Sequence, residues 1–278
     1  MRGSLPARGR IRLRWRLSVV VLAGLPLALG VGVPLSASAS PTYAVTATLG
    51  LPGPANAVAV YPLAKTVYIA GAIVKPLPVG WFQVLDTTTY KAVPFQEAAQ
   101  PAGGYTGLAV NPIANRIYQV YTGAPTPSGV LQFQRASYTL PAPVVGPVPP
   151  GPQAVTVGNG ASGVAVNPLT NRVYVTNSGD GTVSVIDVRT NKVTTTIPVG
   201  DSPDGVAVNP VTNRVYVAGS RSGAVTVIDG ATNAVTATVP VGDGPDAVAV
   251  NPITHTVYVA GRGIPGPPSL SVITVQPT

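Results

Sequence analysis

The chain has 278 residues and a formal charge of +8, but six of its 17 basic residues are arginines within the first 16 positions. Beyond Ala39 that leaves 11 basic against 9 acidic residues, a near-neutral balance with no basic face for phosphate contacts, which argues against nucleic-acid binding. The chain has no cysteine, which excludes disulfides, thiolate metal sites, cysteine nucleophiles and a lipidated cysteine anchor together.

Residues 1–16 read as an arginine-rich leader and 17–35 (LSVVVLAGLPLALGVGVPL) as its apolar core. Ala37-Ser38-Ala39 then supplies the small-residue pattern accepted by signal peptidase, so 1–39 is expected to be a secretory signal cleaved after Ala39. The alternative is an uncleaved membrane anchor, against which Gly24, Pro26, Gly30, Gly32 and Pro34 weaken a permanent helix. No twin-arginine pair precedes the apolar core, so export by the general secretory route is expected, and with it an extracellular protein with no membrane contact after cleavage.

From Pro41 onward the chain reads as strands and turns. Gly and Pro number 31 each and fall between apolar runs, as punctuation of many short strands. Only 9% of residues are charged, which suits sheets buried on both faces. The stretch GVAVNPLTNRVYVTN at 163–177 returns as GVAVNPVTNRVYVAG at 205–219 and AVAVNPITHTVYVAG at 247–261, with looser copies at 107–121 and 57–71. A repeat of this length signals a propeller or array.

Residues 160–200 display the unit. Residues 163–167 form a small-rich first strand, Asn167-Pro168 a turn, and 172–176 a second strand with Val173 and Val175 opposite Tyr174 and Thr176. Residues 182–187 form the third strand and 192–199 a fourth that alternates Val193, Thr195 and Ile197 against Thr194 and Thr196. Four antiparallel strands per repeat match a propeller blade. Blades are expected at about 55–98, 105–158, 162–199, 204–241 and 246–275. Residues 44–60 align without a gap on 234–250, a fourth strand and the following first strand. The expected architecture is therefore an all-β, five-bladed propeller over 40–278, closed by an N-terminal strand at 42–51 that completes the last blade.

The copies at 160–261 resemble the YVTN β-propeller repeat family, named for a motif present here as Tyr174-Val175-Thr176-Asn177. Asn167-Pro168, Asn171-Arg172 and the run 181–187 carry the wider pattern and recur from Asn209 to Asp229. The first repeat departs from it, with Tyr61 before Pro62 and Lys65-Thr66 in place of Asn-Arg. The resemblance implies a secreted or cell-surface propeller and supplies no shared catalytic residue; propellers of this kind commonly have seven blades.

Candidate ligand contacts lie where the repeats disagree. Asn56, Thr106, Ser162, Asp204 and Asp246 begin the five first strands, polar residues in apolar surroundings. They read either as a ring of oxygen acceptors around a channel mouth, able to hold a cation or a hydroxylated ligand, or as turn caps. Loops between second and third strands are long in the first, second and fifth repeats, at 71–80, 122–129 and 261–268. Lys75, Trp81, Tyr121 and Arg262 lie within or beside them and are expected to join a binding surface. The proline-rich spacer at 135–151 reads as a surface excursion.

Catalytic chemistry finds little material. His255 is the only histidine, read as standing in place of the Arg of Asn171-Arg172 in a turn on the opposite face. Glu97 is the only glutamate, at the end of an outer strand. Asp86, Asp187 and Asp229 repeat at third-strand ends, where they suit turn capping. Asp204 and Asp246 are left as the one acid pair, and as the ligands of a calcium ion if one binds. The expectation is a monomeric binding scaffold without a cofactor for a protein, glycan or small molecule; the alternative is a lactonase- or lyase-like propeller enzyme using a cation at the mouth.

Overall fold

The computed structural model describes residues 51, 54–61, 66–73, 79–89, 91–93, 104–114, 116–122, 130–135, 153–242, 244–263 and 266–274. The leader, the strand expected at 42–51 apart from Leu51, Lys75, Glu97 and nearly all of the proline-rich spacer lie outside the described residues.

Among the described residues nineteen strands form five antiparallel sheets, each a meander in chain order, and no helix occurs. Sheet 1 holds β1 (Ala55–Tyr61), β2 (Thr66–Ile73), β3 (Val79–Asp86) and β4 (Ala92–Val93). Sheet 2 holds β5 (Gly104–Asn111), β6 (Arg116–Thr122), β7 (Val130–Arg135) and β8 (Gln153–Thr156). Sheet 3 holds β9 (Ala161–Asn167), β10 (Arg172–Asn177), β11 (Thr182–Asp187) and β12 (Lys192–Pro198). Sheet 4 holds β13 (Pro203–Asn209), β14 (Arg214–Gly219), β15 (Ala224–Asp229) and β16 (Ala234–Pro240), and sheet 5 holds β17 (Pro245–Asn251), β18 (Thr256–Gly261) and β19 (Ser269–Thr274). The first strands β1, β5, β9, β13 and β17 pack on one another in that order.

Turn chemistry fixes the hairpins. In four repeats the Asn of Asn-Pro accepts from the backbone two and three residues on, as Asn167 Oδ1 does from Leu169 N at 3.0 Å and Thr170 N at 3.3 Å. The turn then passes through a left-handed residue, Asn171, Asn213 or His255, with φ of 55°, 52° and 56°. Asparagine tolerates that region because its short polar side chain hydrogen-bonds locally. Third-strand aspartates cap the next turn: Asp229 Oδ1 accepts from Ala231 N at 2.8 Å and Thr232 N at 3.1 Å, and Asp86 and Asp187 behave likewise.

Both faces of a middle sheet are buried, which explains the apolar runs and sparse charge. Tyr174, Val183, Val185 and Ile197 of sheet 3 pack against Val215, Val217 and Ile228 of sheet 4. Tyr118 and Val120 of sheet 2 meet Val173, Val175 and Ile186 in the same way, and Tyr216, Val225 and Val227 meet Val257 and Val259. Burying one such side chain contributes roughly 1.5–3 kcal/mol.

Bulges adjust the expected strands. β9 begins at Ala161, two residues ahead of the predicted start, and bulges between the Val164 and Ala161 pairings with β10. The fourth strand also bulges, since Val185 faces Thr195 while Ile186 faces Val193. Val193 therefore packs towards sheet 2 and Ile197 towards sheet 4, a change of side that strict alternation does not foresee.

The two end sheets differ. Tyr258 of β18 is 40% exposed, although Tyr68, Tyr118, Tyr174 and Tyr216 at the same position are at most 2% exposed. Leu270 and Val272 beside it are also exposed, as are Val58 and Val60 on β1. These residues occupy the faces that neighbouring sheets cover elsewhere.

Candidate functional site

Hairpin direction gives each sheet two ends. First strands begin at the upper end, beside the turns between second and third strands: Ser178 N donates to Gly160 O at 2.9 Å, Ser220 N to Ser202 O at 3.0 Å and Arg262 N to Gly244 O at 2.9 Å. The Asn-Pro turns and the Asp-capped turns share the lower end, where Arg116 Nη1 donates to Val188 O at 2.6 Å.

The polar starts of the first strands join neighbouring sheets at the upper end. Thr106 Oγ1 donates to Ala161 O at 3.2 Å, and Ser162 Oγ donates to Pro203 O at 3.1 Å. Glycine allows this approach: a Cβ on Gly205 would lie 2.6 Å from Asp246 O, and one on Gly163 would collide with Asp204 O. Thr106, Ser162, Asp204 and Asp246 thus follow one another across three seams. The hydroxyls of Thr106 and Ser162 are engaged in those seams.

Thr176, the threonine of the YVTN motif, is a hub that sequence reasoning placed only on a strand face. It is fully buried, accepts from Gly163 N at 2.7 Å and donates to Asp204 O at 2.7 Å across the seam. On the third strands Thr226 Oγ1 donates to Val199 O at 3.1 Å and Ser271 Oγ to Val241 O at 2.9 Å, each reaching the preceding sheet. The signal was present as a hydroxyl at one register of an apolar strand, Ser184, Thr226 and Ser271.

Charge at the upper end gathers on sheets 4 and 5. Arg262 Nε donates to Asp246 Oδ2 at 2.5 Å, with Arg262 exposed and Asp246 mostly covered. That carboxylate, with a smaller contribution from Asp204, holds the Arg262 guanidinium above its usual range. Arg262 and Asp246 are therefore brought together, with Asp204 close enough to be felt. Such a cluster presents fixed donors and acceptors to a polar solute.

The aromatic candidates sit differently from a loop anchor. β2 and β3 stay paired out to Ile73 and Val79, so the first long loop shrinks to 74–78 and Trp81 lies within β3. Its indole is buried against Gly71, where a Cβ would sit 2.8 Å from the ring, and its Nε1 has no partner. Tyr121 is half-buried against the sheet 1–sheet 2 core, and burial raises its phenol. Asn56 is exposed on β1. Both aromatic rings thus serve packing.

His255 requires a correction. It occupies the place of Asn171 and Asn213, not of the following Arg, and Thr256 stands where Arg172 and Arg214 stand. Its Nδ1 lies 3.1 Å from Asn209 Nδ2 at the lower end, remote in the repeat from the Asp246–Arg262 pair.

Among the described residues the two ends differ in charge. Asp180, Asp201, Asp204 and Asp246 outnumber Arg221 and Arg262 at the upper end. At the lower end Lys91, Arg116, Arg172, Arg189, Lys192 and Arg214 outnumber Asp86, Asp187 and Asp229. Among the described residues no three histidine, cysteine or acidic side chains stand together as a metal site.

No protein-family model matches the chain, and no curated protein does. Among solved structures, Kuenenia stuttgartiensis hydrazine synthase is similar at 22% identity and a TM-score of 0.51, over 66% of this chain and 49% of that one. The chain thus spans about half the length of that relative. A functionally unknown protein from Desulfotomaculum acetoxidans DSM 771 is similar at 15% identity and a TM-score of 0.62, over 82% of this chain and 68% of that one. At these identities the likeness is one of fold alone: an all-β chain of repeated antiparallel sheets, compatible with a β-propeller.

Proposed function

We propose that the chain is an exported five-bladed propeller of the YVTN repeat type that acts as a binding scaffold, its upper end taking a polar ligand such as a glycan or a protein loop. In this reading the five sheets are the blades, and the segment 44–51, aligned on β16, adds the missing fourth strand beside β19. The uncovered faces of Tyr258 and of Val58 and Val60 support such closure, since the same repeat positions cover each other at every other seam. Removal of 44–51 should then lower thermal stability or produce oligomers; an unchanged monomer of unchanged stability would refute closure.

The observation that carries the binding reading is the Asp246–Arg262 pair beside Asp204 at the upper end of a largely apolar frame. Hydroxyl-rich ligands are held by such fixed donors and acceptors. The pair weighs against the cation-assisted enzyme, because Arg262 already occupies the Asp246 carboxylate that a calcium ion would need. A glycan array and a pull-down from extracellular proteins test it, with Arg262→Ala and Asp246→Asn as probes. Loss of the captured ligand in both variants is expected, and retention in both would overturn the assignment.

A further inference from the structure

The lower end carries a feature that turn chemistry does not require. Directly after each Asn-Pro pair stands an aliphatic residue, Ile113, Leu169, Val211 or Ile253, and each is 61–86% exposed. Leu63 holds the same place in the first repeat. The backbone N–H of each of the four described residues is bound by the asparagine cap, so any polar residue would suit the turn equally. Elsewhere the described residues of the middle sheets bury their large apolar side chains except Val235 on the outer strand β16, yet here the exposure recurs at one register on one end.

Neighbouring turns are tied to one another. Asn167 Nδ2 donates to Asn213 Oδ1 at 2.8 Å, and Asn209 reaches His255. The aliphatic tips are therefore fixed at one-repeat intervals. Arg116, Arg172 and Arg214 follow three of these tips by three residues, at the cation-rich end.

We propose that this lower end docks peripherally on an anionic lipid surface, the aliphatic tips entering the headgroup layer and the arginines meeting lipid phosphates. Apolar insertion combined with basic residues is the chemistry that holds proteins on such surfaces. A soluble polyanion would use the arginines but gain nothing from four aliphatic tips, so the tips favour lipid. The site lies at the opposite end from the proposed ligand contacts and revises the sequence-based expectation of no membrane contact after cleavage.

The absence of cysteine makes a site-specific test direct. Ile253→Cys and, at the upper end, Arg221→Cys in the full chain are each labelled with an environment-sensitive fluorophore and mixed with phosphatidylglycerol or phosphatidylcholine vesicles. A blue shift at residue 253 with phosphatidylglycerol alone is expected, with none at residue 221, so the apolar leader common to both proteins is controlled. Leu169→Ser combined with Val211→Ser and Ile253→Ser should weaken vesicle binding at least about tenfold, and circular dichroism checks that this variant folds. Equal shifts at both ends, no shift with either lipid, or the same shift with soluble polyphosphate would overturn the proposal.

Discussion

Asn209 Nδ2 and His255 Nδ1 meet at 3.1 Å across the seam between sheets 4 and 5, reproducing the contact of Asn167 with Asn213 one repeat earlier. One asparagine thus has two tasks. Its oxygen caps its own turn, and its amide nitrogen holds the left-handed residue of the next sheet.

His255→Asn restores the residue used at the preceding turns and retains an acceptor for Asn209. Because asparagine suits the left-handed region better than histidine, stability should be unchanged or higher by up to about 1 kcal/mol. His255→Val loses the acceptor and forces a β-branched residue to a φ of 56°, and should cost about 1–3 kcal/mol. Urea denaturation of the two variants reads the difference, and equal stability would show that the contact is idle.

Gln119 is the clearest local conflict in the frame. It lies on β6 on the same face as Ile117, which packs on sheet 1, and neither its Oε1 nor its Nε2 has a partner. The corresponding residues are Val175, Val217 and Val259. Gln119→Val should stabilise the protein by about 1–3 kcal/mol, since it removes an unsatisfied buried amide. A lower urea midpoint would mean that the amide has a use that the packing does not reveal.

Much of this frame was legible in the residues. The Asn-Pro turn, the Asp caps and the third-strand limits at Thr182 and Asp187 follow from local chemistry, which one repeat displays completely. What was hidden depends on how sheets meet. The bulges at Ala161 and Val193 alter which side a residue faces without changing its type. Thr176 looks like any strand threonine until Gly163 brings the next sheet within reach. Trp81 reads as a loop anchor unless the β2–β3 pairing is known to continue through Gly71. The Arg262–Asp246 pair joins two residues 16 apart across a hairpin whose loop length masks their proximity.

Thr176→Val should cost about 1–3 kcal/mol, because it removes the hydroxyl that binds Gly163 N and leaves Asp204 O with only the longer 3.4 Å contact from Ser162 Oγ in a partly buried seam. Thr176→Ser keeps the hydroxyl and should lose less than about 1.5 kcal/mol, the scale of a small packing change. The two substitutions separate hydrogen bonding from packing. If serine proves as harmful as valine, the hydroxyl is not what holds sheets 3 and 4 together.

The buried tyrosines set an upper pH limit. Burial raises the Tyr118 phenol to about 12, against a weaker lowering by Arg116 and a hydrogen bond with Asn111, and burial raises Tyr174 and Tyr216 as well. The folded protein thus holds these protons more tightly than the unfolded chain does. Their contribution to stability is complete below about pH 10, the unfolded value, and is lost as pH climbs towards about 12. Denaturant midpoints should therefore fall across that interval, with tyrosinate absorbance from the buried rings rising only as the fold is lost. Tyr118→Phe removes one ionising group and should make the fall shallower, and an unchanged slope would assign the alkaline limit to other residues.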